Sequence, residues 1–285
     1  MKTAYIIDSS ASLNDQLLNH PDVYVMKLEV SWGDEIYSDT TDEELLKTFY
    51  KRLVENKDLP KSNQPKQGDI LAAFQDIIQK GYSQVIVITL ASVISGTYNT
   101  IAMVSEEYSK KLDVRMIDSK GTSFIEEHLL AKAIELEAQG VELDDIESQL
   151  NDLAEECKIY VVIEDLNAII KGGRLSAMGG LLASTLRIKP ILYFNEGGYV
   201  EVFEKVRTTQ RVYRRYPDLV GEAMTQFPQG FKVALAHGDC EEEALKLKEM
   251  IEAKYPELKF RVGYLTPILG THGGKDSLGL GIMPY

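Results

Sequence analysis

An α/β fold of two domains is what this sequence predicts, and three observations carry it. Short apolar runs of buried-strand type alternate with amphipathic helical patterns through the first 156 residues. A glycine-centred hairpin and further strand–helix alternation follow in the second half. The chain has 285 residues, and domains of ~150 residues make that about two. The expected division is 1–156 and 157–285, with a ligand cleft between. The N-terminal domain should be a mostly parallel sheet with helices on both faces. The C-terminal domain should be α/β with antiparallel strands.

Residues 3–8 (TAYIID) form an apolar run that ends in a polar turn, as a buried strand does, and 84–90 (QVIVITL) and 113–118 (DVRMID) repeat the pattern. Apolar residues at helical spacing lie between and after them. Leu45, Phe49 and Leu53 give one face, and Ile101, Ser105 and Tyr108 nearly another. Ile125, Leu129, Ala133 and Leu136 form a third, and Leu143, Ile146, Leu150 and Leu153 a fourth. A further helix is expected over 67–80. Beyond the boundary, 158–163 reads as a strand, and Gly197-Gly198 separates two apolar-alternating runs as a hairpin turn does. A helix is expected over 208–227, kinked or broken at Pro217. Strand 231–237, helix 240–254 and strand 258–265 complete the pattern.

Composition narrows the function. Hydrophobic residues are 44% and charged residues 26%, which excludes a disordered or fibrous chain. The 31 basic and 44 acidic residues give 31 − 44 = −13, so nucleic acid, which needs Lys and Arg against its phosphates, is not an expected partner. The charge is uneven. Segment 126–156 carries eleven acids and one base, whereas 171–215 carries nine bases and three acids. No apolar run approaches the ~20 residues of a membrane span, and the apolar stretch before Asp8 is too short for a signal peptide. A cytoplasmic location with Cys157 and Cys240 as inert thiols is expected.

Five places can carry chemistry. Asp8-Ser9-Ser10 and the segment Ala91–Thr97 follow strands, where open α/β sheets bind ligands. Ser95 or Thr97 can cap the next helix, whose free N–H groups suit a carboxylate or phosphate. Simple capping explains the same residues. Ser62-Asn63-Gln64-Pro65 reads as a polar loop before a helix. Gly172-Gly173 permits close approach, and Arg174 beside it can grip an anion; a helix C-cap with an exposed Arg reads equally well. In the tail Pro267–Gly274, His272 lies between small residues in what reads as an open loop, where it can meet an anion, shuttle a proton or simply be solvated. Standard motifs fail: Gly274-Lys275 lacks the rest of a P-loop, Gly279-x-Gly281 lacks a third glycine, and no G-x-S-x-G occurs. The four histidines and two cysteines have no metal-ligand spacing, so no metal is expected.

The order D-S-S near the start, S-N-Q-P near 62, S-G-T-Y at 95–98, G-G-R-L at 172–175 and G-T-H-G-G at 270–274 resembles the DegV family across essentially the whole chain. That resemblance implies a two-domain DegV-like fold enclosing a long-chain fatty acid, with no cofactor. It implies a fatty-acid-binding subunit of a bacterial fatty acid kinase, not itself an enzyme, that presents the acyl carboxylate to a partner kinase catalytic subunit. The acyl phosphate made there serves phospholipid synthesis, and transient exchange with membranes is compatible with the role. Carried over by position, Ser62, Ser95, Gly96, Thr97, Thr271 and His272 would hold the carboxylate. Arg174 and Arg207 would serve phosphoryl transfer or docking. The chain departs from the family after His272, where Lys275-Asp276 stands for the usual Pro-Gly, and at Ser62-Asn63, where T-S is usual. Two other readings compete: an enzyme acting on a small carboxylate or phosphate ester with Ser95 as nucleophile and His272 as base, and an interaction protein whose basic segment docks an acidic partner.

Overall fold

A computed structural model describes residues 2–56, 58–176, 189–206 and 208–285. Its N-terminal part is a parallel sheet of β1 (Thr3–Asp8), β2 (Val23–Met26), β6 (Gln84–Thr89) and β7 (Asp113–Asp118), in the order β2-β1-β6-β7. Strands β3 (Glu29–Trp32), β4 (Glu35–Ser38) and β5 (Lys61–Asn63) form a small antiparallel sheet beside it, ordered β4-β3-β5. The third sheet holds β8 (Lys158–Val162), β9 (Lys189–Phe194), β10 (Val200–Val206), β11 (Phe231–His237), β12 (Phe260–Tyr264) and β13 (Leu278–Pro284), in the order β10-β9-β8-β13-β11-β12. All its pairings are antiparallel except β11 with β12.

Side-chain alternation fixes the layers. In β1, Ala4 and Ile6 face α3 (Gln67–Gln79) and α4 (Thr97–Ser105). Tyr5 and Ile7 face the opposite way, onto α5 (Phe124–Ala138) and α6 (Leu143–Glu156). The same α5–α6 core includes Ala234 and Ala236 of β11, so these helices lie between the two large sheets. The far face of the third sheet, with Val233, Leu235, Leu280 and Ile282, packs on α8 (Thr209–Gln226) and α9 (Glu241–Lys254). The central strands of the large sheets bury both faces, which is why strands such as QVIVIT read as continuous apolar runs.

The fold class agrees with the sequence reading, and several local expectations need correction. Leu45 is 57% exposed; α2 (Glu43–Glu55) buries Leu46, Phe49 and Tyr50 instead. Helix α8 runs unbroken through Pro217, whose ring is buried in the core, so packing compensates for the one backbone bond lost. Ser62 and Asn63, read as a loop, belong to β5. The tail is not open: α10 (Pro267–Gly273) and β13 occupy it, and β13 lies inside the third sheet. The hairpin stands as expected, with Gly198 at φ 80° and Asn195 Oδ1 accepting from the N–H groups of Gly197 and Tyr199. Two short helices, α1 (Asp15–Leu18) and α7 (Asn167–Lys171), and a 3-10 turn at Glu106–Tyr108 complete the described elements. Both cysteines are free; burial pushes their thiols up to about 12, so they are unreactive at neutral pH. Among the described residues, no helix is long and apolar enough to cross a membrane.

Candidate ligand-binding site

The site lies at the carboxyl ends of β1 and β6, where strand order reverses. Asp8 marks the crossover: its carboxylate accepts the N–H of Leu90 at 2.9 Å and the N–H of Ser10 at 3.0 Å. A cavity of about 510 Å³ opens beyond these ends, within the ~300–1,000 Å³ of small-molecule pockets. Its walls are largely apolar, and they come from the segments after β6 and β7, from α10 and from the third sheet.

The sheet wall is built for space. Register places Ile159, Gly281 and Ala234 in one row across β8, β13 and β11, and Val161, Gly279 and Ala236 in the next. All six line the cavity. Two glycines and two alanines leave a trough where ordinary side chains would fill the space between sheet and α5. A β-carbon added at Gly279 or Gly281 would meet only ordinary contacts, at 3.7 and 3.8 Å from Ala236 and Ala234. Sequence reasoning weighed Gly279-x-Gly281 only as a nucleotide motif. Its role depends on which residues lie across the sheet, which the sequence alone does not display.

The polar groups gather where β5, α10 and the start of α4 meet. Ser62 Oγ lies 2.8 Å from Nε2 of His272. Gln64, two residues on, packs against Gly96 so closely that a β-carbon at 96 would sit 2.9 Å from the Gln64 amide. The Gln64 carbonyl also accepts the Thr100 hydroxyl. Arg174 Nε donates to the Ile94 carbonyl at 3.1 Å, which sets its guanidinium beside the S-G-T segment. Ser62, Gln64, Ser95, Gly96, Arg174 and His272 all line the cavity. Thus four of the five sequence-separated motifs converge on one place.

Not every predicted residue reaches it. Thr97 is fully buried, and its hydroxyl is 2.9 Å from Ser95 Oγ. Thr271 is 2% exposed, and its hydroxyl donates to the Pro267 carbonyl within α10. Neither lines the cavity. Gly96 takes the N-cap of α4, and Ser95 Oγ accepts the Thr97 N–H at 3.3 Å. Arg207 lies outside the described residues.

His272 is neutral at physiological pH. Burial pushes its imidazole down to about 4, and the nearby Arg174 charge adds to the effect. Its Nδ1 is buried and has no hydrogen-bond partner among the described residues. A neutral imidazole bonded to Ser62 can donate or accept one proton, and with Arg174 at the same wall it suits a carboxylate. The hydrogen bond of His272 runs to Ser62 and that of Ser95 to Thr97, so a Ser95–His272 nucleophile–base pair is not formed. Among the described residues, no cluster of His, Cys, Asp and Glu could hold a metal ion.

Comparison with known proteins identifies the family and the fold. A DegV domain-containing protein of Listeria monocytogenes, lmo2514, is 33% identical over 280 residues, covering 98% of this chain and 97% of that protein. The crystal structure of SAG1342 from Streptococcus agalactiae, described as a fatty acid binding DegV family protein, superposes with a TM-score of 0.92 at 29% identity, covering 100% of this chain and 99% of that one. That of DegV from Bacillus subtilis, described as a fatty acid binding protein, gives 0.88 at 30% identity and covers both chains fully. The family model described as "Uncharacterised protein, DegV family" matches residues 2–285, and the chain belongs to the DegV family.

Proposed function

We propose that this protein binds one long-chain fatty acid, tail along the glycine–alanine trough and carboxylate at the Ser62–His272 cluster. The observation that carries the reading is a single largely apolar cavity into which Ser62, Ser95, His272 and Arg174 converge. Two relatives at 29% and 30% identity are described as fatty acid binding, which supports it. A chain of ~16 carbons gains at most about 13 kcal/mol from burial, at ~0.8 kcal/mol per methylene before costs. A neutral hydrogen bond nets only ~0.5–1.5 kcal/mol. The trough therefore sets affinity and the polar cluster sets orientation.

On this reading residues 1–156 and 157–285 act as two domains around the lipid, and the protein is a cytoplasmic carrier rather than an enzyme. It presents the carboxylate to a partner kinase catalytic subunit, which supplies ATP and Mg²⁺ and forms acyl phosphate for phospholipid synthesis. Arg174 and Arg207 steady the transferred charge or dock the kinase. Thr97 and Thr271 act by shaping Ser95 and α10. Native mass spectrometry of gently purified protein tests lipid binding: one fatty acid per chain is expected. A clean apo mass that takes up neither palmitate nor oleate sinks the proposal. Adding an ATP-dependent fatty acid kinase subunit to the loaded protein should yield acyl phosphate, and no product would remove the kinase role.

A further inference from the structure

Neither serine of the D-S-S motif after β1 lines the cavity, but Ser9 is tied to the helix that carries His272. Ser9 Oγ accepts the N–H of Leu28 at 3.0 Å and donates to Asp39 Oδ2 at 2.8 Å. Asp39 follows β4 and is 1% exposed. Its other oxygen, Oδ1, accepts the N–H of Ile268, in the first turn of α10, at 3.0 Å. The Asp39 N–H in turn donates to Leu28 O at 2.9 Å. The end of β1, the start of β3 and the end of β4 are thereby tied to the N-terminus of α10.

The other end of α10 carries His272, held by Ser62 of β5. Strand β5 pairs with β3, Ser62 opposite Val30, so both ends of α10 are gripped from one small sheet. Just ahead of α10, the Tyr50 hydroxyl of α2 donates to the Leu265 carbonyl at 2.9 Å. A seven-residue helix has little stability of its own. The direction in which α10 aims His272 is therefore set by these ties. Asp39 is also an expensive residue to keep there: no Lys or Arg pairs with it among the described residues. Burial pushes its carboxyl up to about 7, although the bonds from Ile268 and Ser9 oppose the rise.

We infer that Asp39, oriented by Ser9, is a positioning residue that fixes α10 and so places the His272 imidazole against the ligand carboxylate. The inference rests on the proposed fatty acid site. Asp39 does not line the cavity, so it acts through His272, and its loss discriminates by headgroup. Palmitate and hexadecan-1-ol fill the same trough, but only palmitate presents a carboxylate.

The test compares wild type with Asp39→Ala, Asp39→Asn and Ser9→Ala. Calorimetric binding of both ligands is measured, with NMR of the His272 ring in lipid-free protein. Asp39→Ala should weaken palmitate about ten-fold and hexadecanol less than two-fold, and should shift the His272 ring signals. Asp39→Asn keeps an oxygen for the Ile268 N–H and should recover part of the palmitate affinity. Ser9→Ala, the variant safest for folding, should give a smaller change in the same direction. Equal losses for both ligands, or an unmoved His272 signal in both Asp39→Ala and Ser9→Ala, overturn the inference. If wild type binds neither ligand, the fatty acid reading itself fails, and the lipid-free His272 signals still decide whether Asp39 positions the ring.

Discussion

Gly172 backs directly onto His272: a β-carbon added at Gly172 would lie 2.6 Å from the imidazole Nδ1 and 2.9 Å from the Ala168 carbonyl oxygen. The ring can retreat only by leaving Ser62, and the carbonyl belongs to α7 and cannot retreat cheaply. Gly172→Ala is therefore expected to displace the imidazole and to destabilise the fold by about 1–3 kcal/mol, the usual cost of overpacking. Chemical denaturation reads the stability, and the His272 ring signals read the displacement. A variant with wild-type stability and an unmoved ring would show that the contact relaxes without cost.

Ser62→Ala removes the partner of His272 Nε2, 2.8 Å away. A neutral bond of this kind nets ~0.5–1.5 kcal/mol, so palmitate affinity should fall about two- to ten-fold. The fold should hold, because Ser62 is on a short exposed-edge strand and its side chain is only half-buried. Ser62→Thr should keep the affinity, since Thr is the residue the family pattern usually carries. Calorimetry on both variants checks the pair.

Much of this arrangement was legible in the sequence, and the limits have physical causes. Strands such as Thr3–Asp8, Gln84–Thr89 and Phe231–His237 are buried on both faces, so their apolar runs announce them. Strands β4 and β5 carry no such signal, because they are exposed and gain their shape from pairing with β3. Helix α10 is short and glycine-rich, and local propensity disfavours it; tertiary ties to Asp39, Tyr50 and Ser62 make it a helix. Its burial turns His272 from a solvated loop residue into a neutral site residue. Motif order singled out Ser62, Ser95, Arg174 and His272, which the cavity gathers. It gave equal standing to Thr97 and Thr271, whose hydroxyls point to neighbours in their own segments.

The neutral His272 gives a pH dependence with a definite sign. Its imidazole is held down to about 4 in the folded protein, whereas an unfolded histidine titrates near ~6.5. Between these values the unfolded chain binds a proton that the folded chain does not, so stability falls as pH drops through that window. His272→Gln removes this contribution. Relative to wild type, the variant should gain up to about 1.4 kcal/mol per pH unit between about pH 6.5 and 4. Urea denaturation of both proteins at several pH values measures the difference. A difference independent of pH would mean that His272 is already charged when folded.

The trough makes a prediction about chain length. Gly279 and Gly281 have room for a β-carbon at 3.7 and 3.8 Å from Ala236 and Ala234. A larger side chain must extend into the cavity that both glycines line. Gly281→Leu should leave the fold intact and shorten the acyl chain accepted, with a loss of ~0.8 kcal/mol per methylene displaced. Native mass spectrometry against fatty acids of twelve to eighteen carbons, ~1.5-fold in length, is the measurement. An unchanged preference for the longest chain would place the tail elsewhere.

The family departure at Lys275-Asp276 separates into a conformational part and an electrostatic part. Asp276 sits at φ 62°, the left-handed region that glycine enters freely. Its N–H donates to the Gly238 carbonyl at 2.6 Å, so the corner that a family glycine would make is retained by an aspartate. Asp276→Gly should then stabilise the chain by no more than about 1 kcal/mol, since relief of the left-handed cost is offset by greater freedom in the unfolded chain. Lys275 pairs with Asp239 at 2.9 Å but is 38% exposed at its side chain, and pairs of that kind contribute ~0–1 kcal/mol. Lys275→Ala should cost less than about 1 kcal/mol, and less still at high salt. Thermal melts of the two variants at low and high salt distinguish the parts: salt should change the effect of Lys275→Ala and leave that of Asp276→Gly in place. If Asp276→Gly instead loosens palmitate binding, the aspartate side chain acts beyond the corner, and the loop that follows His272 has taken a role in the site.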